Sequence, residues 1–165
     1  MKIMNKMASL AGILLLSACA TLRQAPALGD PAEVVQAKMG TPTGTYQDGE
    51  LRVLEYATGP MGQFTYMARL GPDGRLVSYE QVLTSEKFAA IKIDQATHAD
   101  VLRTVGRPAE RSRVAMNNYE VWSYRYKEAG VWNSLMHVHF DAQGVVRQML
   151  NGPDPMYEPR DRFGW

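Results

Sequence analysis

Two histidines, His137 and His139, stand two apart in a stretch that alternates apolar and polar residues. On a strand that spacing turns both imidazoles to one face, which is how a sheet offers two nitrogens to a metal ion. The remaining histidine, His98, falls at the start of a helical pattern, and the chain has a single cysteine, Cys19. The His137/His139 face lies opposite Met136, Val138 and Phe140, so it equally suits the polar side of a half-buried sheet. Ser78, Ser85, Ser112, Ser123 and Ser134 carry no flanking glycine signature of a nucleophile elbow. Glu50, Glu55, Glu80 and Glu120 do not resolve into the carboxylate pair that glycoside chemistry requires. Gly71-Pro72-Asp73-Gly74 joins two apolar runs and precedes no helix, so it reads as a hairpin turn and not as a phosphate loop. Trp122, Tyr124 and Tyr126 share one face of a predicted strand and stand near Tyr119 and Trp132. That face is either core or an aromatic contact surface. The expectation from these residues is no catalytic, cofactor or metal site.

The cysteine has a clearer chemistry. Lys2 and Lys6 precede an apolar run, Met7 to Leu16, which is short of the ~20 residues a membrane-spanning helix needs. Leu16-Ser17-Ala18-Cys19 follows. A basic start, a short apolar run and small residues before a cut describe a secretory signal over 1–18. The tetrapeptide resembles the lipobox of bacterial lipoproteins, which implies cleavage before Cys19 and lipid attachment to it. The absence of a second cysteine rules out a disulfide within the chain. An unpaired thiol in an oxidising compartment is a liability unless it is consumed. Two or more acyl chains, at about 0.8 kcal/mol per buried methylene, give a stable anchor where one does not. Ala20 stands where an aspartate would resemble an inner-membrane retention signal. The resemblance therefore implies an outer-membrane address, facing the periplasm. Loss of 1–18 removes two of the 18 basic side chains and none of the 17 acidic ones, leaving a formal charge of −1. That balance argues against a nucleic-acid partner, which needs a basic face.

The elements behind these residues form a pattern that occurs twice. Residues 19–27 read as a small, polar tether. Asp30, Pro31 and Glu33 suit a helix cap, first helical residue and capping box, and Gly40-Thr41-Pro42 ends that helix. Thr97 and Asp100 begin a second helix with Val101, Leu102 and Val105 on one side, ended by Gly106-Arg107-Pro108. Strands follow each helix: Leu51–Tyr56, Phe64–Leu70 and Leu76–Leu83 in one half, and Tyr119–Tyr124, Leu135–Phe140 and Val145–Leu150 in the other. Phe64, Tyr66, Ala68 and Leu70 share a face by alternation. The turns Gly71–Gly74 and Asp141–Gly144 match. The predicted class is α+β, a tandem duplicated unit of one helix packed on a three-stranded antiparallel meander. The units span 28–83 and 93–150, with a linker helix at 84–92 that turns Phe88 and Ile91 inward and an irregular tail at 151–165. A unit of ~60 residues is marginal alone, so the two are expected to pack into one cooperative body.

The run Asp100-Val101-Leu102-Arg103-Thr104-Val105-Gly106-Arg107-Pro108, then Trp122-Ser123-Tyr124, Phe140-Asp141 and Gly144-Val145-Val146, resembles the SmpA/OmlA family of small outer-membrane lipoproteins, the BamE-like proteins. Tandem units of related shape occur in β-lactamase-inhibitor-like proteins. The chain departs from the family in having two units, and Gln95-Ala96 stand where glycine and methionine are usual before the cap. The resemblance implies a non-enzymatic interaction module in outer-membrane protein assembly or envelope integrity. Its partners would be membrane lipid through Cys19 and envelope proteins such as the barrel-assembly machinery. The alternative it leaves open is an inhibitor or regulator of an envelope enzyme.

Overall fold

Alternation and turn chemistry build two antiparallel sheets. The computed structural model describes residues 25–115 and 118–157. In chain order the elements are α1 (Ala32–Met39), β1 (Gly44–Asp48), β2 (Leu51–Ala57), β3 (Thr65–Leu70), β4 (Leu76–Gln81), α2 (Ser85–Ala89), α3 (His98–Val105), β5 (Glu110–Val114), β6 (Tyr119–Glu128), β7 (Trp132–Phe140) and β8 (Val146–Pro153). One sheet has the order β1-β2-β3-β4 and the other β5-β6-β7-β8, with every neighbouring pair antiparallel. Residues 1–24, which include the signal segment, Cys19 and most of the tether, lie outside the described residues, as do 158–165 of the tail. No described helix is long and apolar enough to cross a membrane.

This corrects the expected fold class. The chain is mostly β, two four-stranded sheets, and not a helix on a three-stranded meander occurring twice. The strands missing from the sequence reading are β1 and β5. Only Gly44 is buried in β1, and every residue of Glu110-Arg111-Ser112-Arg113-Val114 in β5 is exposed. Each is an edge strand whose charged and polar side chains protect the edge from further pairing, so neither carries an apolar alternation. At the other edge β8 continues to Pro153, past the predicted end at Leu150, because Asn151 to Pro153 still pair with Met136 to Ser134.

The two helices start in equivalent places for one reason. Backbone N–H groups at the helix start need acceptors, and the following hairpin supplies them. Ala32 N–H donates to the Gly74 carbonyl (3.1 Å) and His98 N–H to the Gly144 carbonyl (3.1 Å). Their caps differ. In α3 the Thr97 side chain and Asp100 form the reciprocal capping box, whereas α1 starts at Pro31 with no side-chain cap. Asp30, expected as that cap, instead accepts from Ala27 N–H and from Lys38 Nζ at 2.7 Å. Both helices end on a glycine at positive φ, Gly40 (+87°) and Gly106 (+83°).

α1 buries Ala32 and Val35 against Leu54, Tyr56, Ala68, Leu70 and Leu76. Phe64 lies outside β3 and is 40% exposed, so it does not join that face. The opposite face of the same sheet is also covered, with Val53, Met67 and Val82 fully buried. The second core gathers Val101, Val105, Trp122, Tyr124, Tyr126, Val138, Phe140 and Val146, with Phe88 and Ile91 from around α2. The aromatic face left open by the sequence is therefore core.

Candidate functional site

Three regions place polar or aromatic side chains where they could act. The first is the seam between the sheets. Glu55, in the middle of β2, is fully buried. A buried carboxylate is costly unless its lone pairs are filled. Thr43 Oγ1 donates to Oε1 (3.0 Å), the Tyr46 hydroxyl donates to Oε2, and so does the Arg107 backbone N–H (3.2 Å). Burial, then the adjacent Glu55, pushes the Tyr46 hydroxyl above the usual tyrosine range. Burial and the Glu55 charge do the same to Tyr124, whose hydroxyl donates to the Gly106 carbonyl (3.1 Å). A cleft of about 270 Å³ opens beside them, lined by Thr43, Glu55, Pro60, Arg107 and Arg125 among others.

The second is the face of β6, β7 and β8 turned away from α3. His137 and His139 lie on it, as their spacing requires, and burial followed by the neighbouring His137 holds His139 below the usual histidine range. Ser123 stands opposite His137 across the β6–β7 pair, and its Oγ is 2.8 Å from His137 Nδ1. No carboxylate is hydrogen-bonded to the other nitrogen of His137 among the described residues, so the pair lacks the orienting acid of a triad. His98 is on the opposite side of the sheet. It packs on Trp122 (4.7 Å) and Phe140 (4.1 Å), and its Nε2 lies 3.3 Å from Glu120. The sheet thus separates the third imidazole from the other two. Among the described residues no group of three histidine, cysteine, aspartate or glutamate side chains could hold a metal. The carboxylates also go separate ways. Glu80 pairs with Arg69 and Lys87, and Glu120 accepts from Trp122 Nε1 (2.6 Å).

The third region is the end of the molecule where the β2–β3 connection, the β6–β7 turn and the turn after β8 meet. Asn133 ties them. Its side-chain oxygen accepts from Gln63 (3.0 Å) and from Lys127 (2.7 Å), and its carbonyl accepts from Asp154 N–H (3.0 Å). Arg125 adds a second tie, donating to the Pro60 carbonyl (3.3 Å) with its Nε 3.1 Å from the buried Asp154 carboxylate. Of the eleven large apolar side chains exposed among the described residues, six belong to these segments: Met61, Phe64, Val131, Trp132, Met156 and Tyr157. Scattered apolar residues are ordinary on a surface, whereas large contiguous patches are characteristic of interaction sites in general. A cleft of about 460 Å³ lies within it, between Trp132 and Tyr157.

The sequence reading singled out the histidines and missed Asn133, Asp154 and Tyr157. The last two fall in the stretch it expected to be irregular. The available signal was Trp132, which the sequence reading grouped with the aromatic face, and the apolar Val131 before it in a hairpin turn, where polar residues are the rule.

No protein-family model matches the chain. No curated protein matches it. Among solved structures, a DUF4309 family protein (YjgB) from Bacillus subtilis subsp. subtilis str. 168 is similar over 74% of this chain and 76% of that one, at 13% identity and a TM-score of 0.29.

Proposed function

We propose that this chain is a lipid-anchored, periplasm-facing lipoprotein of the outer membrane. It acts as a non-enzymatic interaction module in outer-membrane protein assembly or envelope integrity. The observation that carries the reading is Leu16-Ser17-Ala18-Cys19, placed directly behind a short apolar run and containing the chain's one cysteine. The three-loop end supports it from a second side, since exposed aromatic and methionine side chains held by a hydrogen-bonded frame suit a protein contact. An anchor at Cys19 raises the effective concentration of that end near membrane-bound partners.

Cell fractionation with Cys19→Ala tests the anchor. The wild type belongs in the outer-membrane pellet and the variant in the soluble periplasm, and a variant that stays in the pellet refutes the anchor. Affinity purification of the tagged lipidated form from gently solubilised membranes then tests the role. Recovery of barrel-assembly components with the lipidated form alone supports assembly. Stoichiometric recovery of one periplasmic enzyme instead replaces it with regulation of that enzyme.

A further inference from the structure

The cleft at the three-loop end has a distinctive chemistry. Trp132 is 69% exposed and Tyr157 is 45% exposed, and both line it. Between them lie Ser134, Pro153 and two carboxylates, Glu128 and Asp154. No basic side chain lines the cleft among the described residues. Asp154 is neutralised by Arg125 behind it. Glu128 accepts one hydrogen bond, from Ser134 Oγ (2.8 Å), and has no cationic partner among the described residues. Two aromatic rings and an uncompensated carboxylate around a concave site form the arrangement that attracts a cation: the rings through their negative faces, the carboxylate through charge and hydrogen bonding.

The position of the cleft selects the source of that cation. Residues 29–32 are tied to the β3–β4 turn, with Gly29 N–H donating to the Leu76 carbonyl (2.8 Å) and Pro31 bridged to Arg75. The cleft is joined to the β2–β3 connection, at the other end of β3. A six-residue strand spans roughly 20 Å. The cleft therefore lies at the opposite end of β3 from residues 29–32, the side from which the described chain leads back toward Cys19. We propose that the Trp132–Tyr157 cleft receives a cationic side chain, lysine or arginine, presented by a partner polypeptide. The choice of a polypeptide over the ammonium headgroup of a lipid rests on the anchored reading; the cation specificity does not.

The test follows the Trp132 indole N–H signal of the isotope-labelled full chain in polyoxyethylene detergent micelles. The titrants are the N-acetylated, C-amidated peptide Gly-Gly-Lys-Gly-Gly and its uncharged counterpart, capped in the same way, with norleucine in place of lysine. The lysine peptide should shift the signal and the norleucine peptide should bind at least about tenfold more weakly. Glu128→Gln keeps an acceptor for Ser134 and should weaken the lysine peptide about tenfold while leaving the rest of the spectrum in place. Equal binding of both peptides, or no shift at about 10 mM lysine peptide, overturns the proposal. A shift produced by phosphatidylethanolamine vesicles and not by the peptide overturns the polypeptide source. Binding of the lysine peptide by a chain whose Cys19→Ala variant still fractionates with the membrane leaves the cleft's cation specificity standing and removes the anchor.

Discussion

His139 gains a half-buried place on the sheet and loses part of its affinity for a proton. Burial and the neighbouring His137 lower its pKa from the ordinary 6.5. The sign of the consequence follows from linkage. The unfolded chain takes up the proton at a higher pH than the folded one, so between the two values the unfolded state binds more protons and stability falls as pH falls. The contribution is intact above the ordinary histidine value and is lost below it, until the folded pKa is also passed. Urea midpoints should therefore decline as pH is lowered through the 6.5 region, and His139→Gln should flatten that decline. An identical decline in the variant would place its origin elsewhere. His139 and His137 were legible as a same-face pair from their spacing. The Ser123–His137 contact was not, because it depends on the register between β6 and β7.

At the scale of elements, the two helices show how little the cap signal alone determines. Asp30-Pro31-Ala32-Glu33 and Thr97-His98-Ala99-Asp100 both read as capped starts, yet only the second is one. Pro31 occupies the cap position of α1, and the Asp30 carboxylate turns back to Lys38. Thr97→Ala should cost about 1 kcal/mol in chemical denaturation, the usual effect of removing a working N-cap. Asp30→Ala removes an ion pair and the exposed hydrogen bond from Ala27 N–H but no cap, and should cost less. Comparable losses would mean that the α1 start relies on Asp30 after all. The same contrast runs through the strands. β3 and β7 were readable from the alternation of their residues, and β2 and β6 from apolar and aromatic runs in matching places after each helix. β1 and β5 pair through backbone groups and expose most of their side chains, Tyr46 being half-buried, so no apolar alternation marks them as strands. The three-loop end was hidden for a related reason. Asn133 near the start of β7, Gln63 and Asp154 are ordinary polar residues, and only their convergence from distant parts of the chain makes them a frame.

Whether the two sheets behave as one molecule turns on the seam. Glu55 of the first sheet accepts the N–H of Arg107, just beyond α3, and Gly106 stands so close that an added Cβ would lie 3.1 Å from the Glu55 carboxylate and 3.1 Å from Thr65. Arg69 donates to the Arg103 carbonyl at 3.4 Å, and Gln63 and Arg125 close the far end. Each of these polar ties is weak individually, and those to the buried Glu55 carboxylate are the costlier to break. Glu55→Ala would remove the side-chain acceptor of the Tyr46 hydroxyl and of the Arg107 N–H, while Thr43 Oγ1 keeps the Glu55 backbone carbonyl. The expected loss is about 2 kcal/mol, the scale of a half-buried hydroxyl left without a partner together with the cavity left by the side chain. If the seam couples the halves, hydrogen exchange should show amides of β2 and β3 and amides of β6 and β7 losing protection together. Loss confined to the first sheet would instead mean two bodies that unfold separately. Joint loss would also show why a cleft on the second sheet, tied to the first through Gln63, can hold its shape. The frame around Asn133 draws Gln63 from the first sheet's loop and Lys127 and Asp154 from the second, so the geometry of the Trp132–Tyr157 cleft depends on the same coupling that Glu55 maintains.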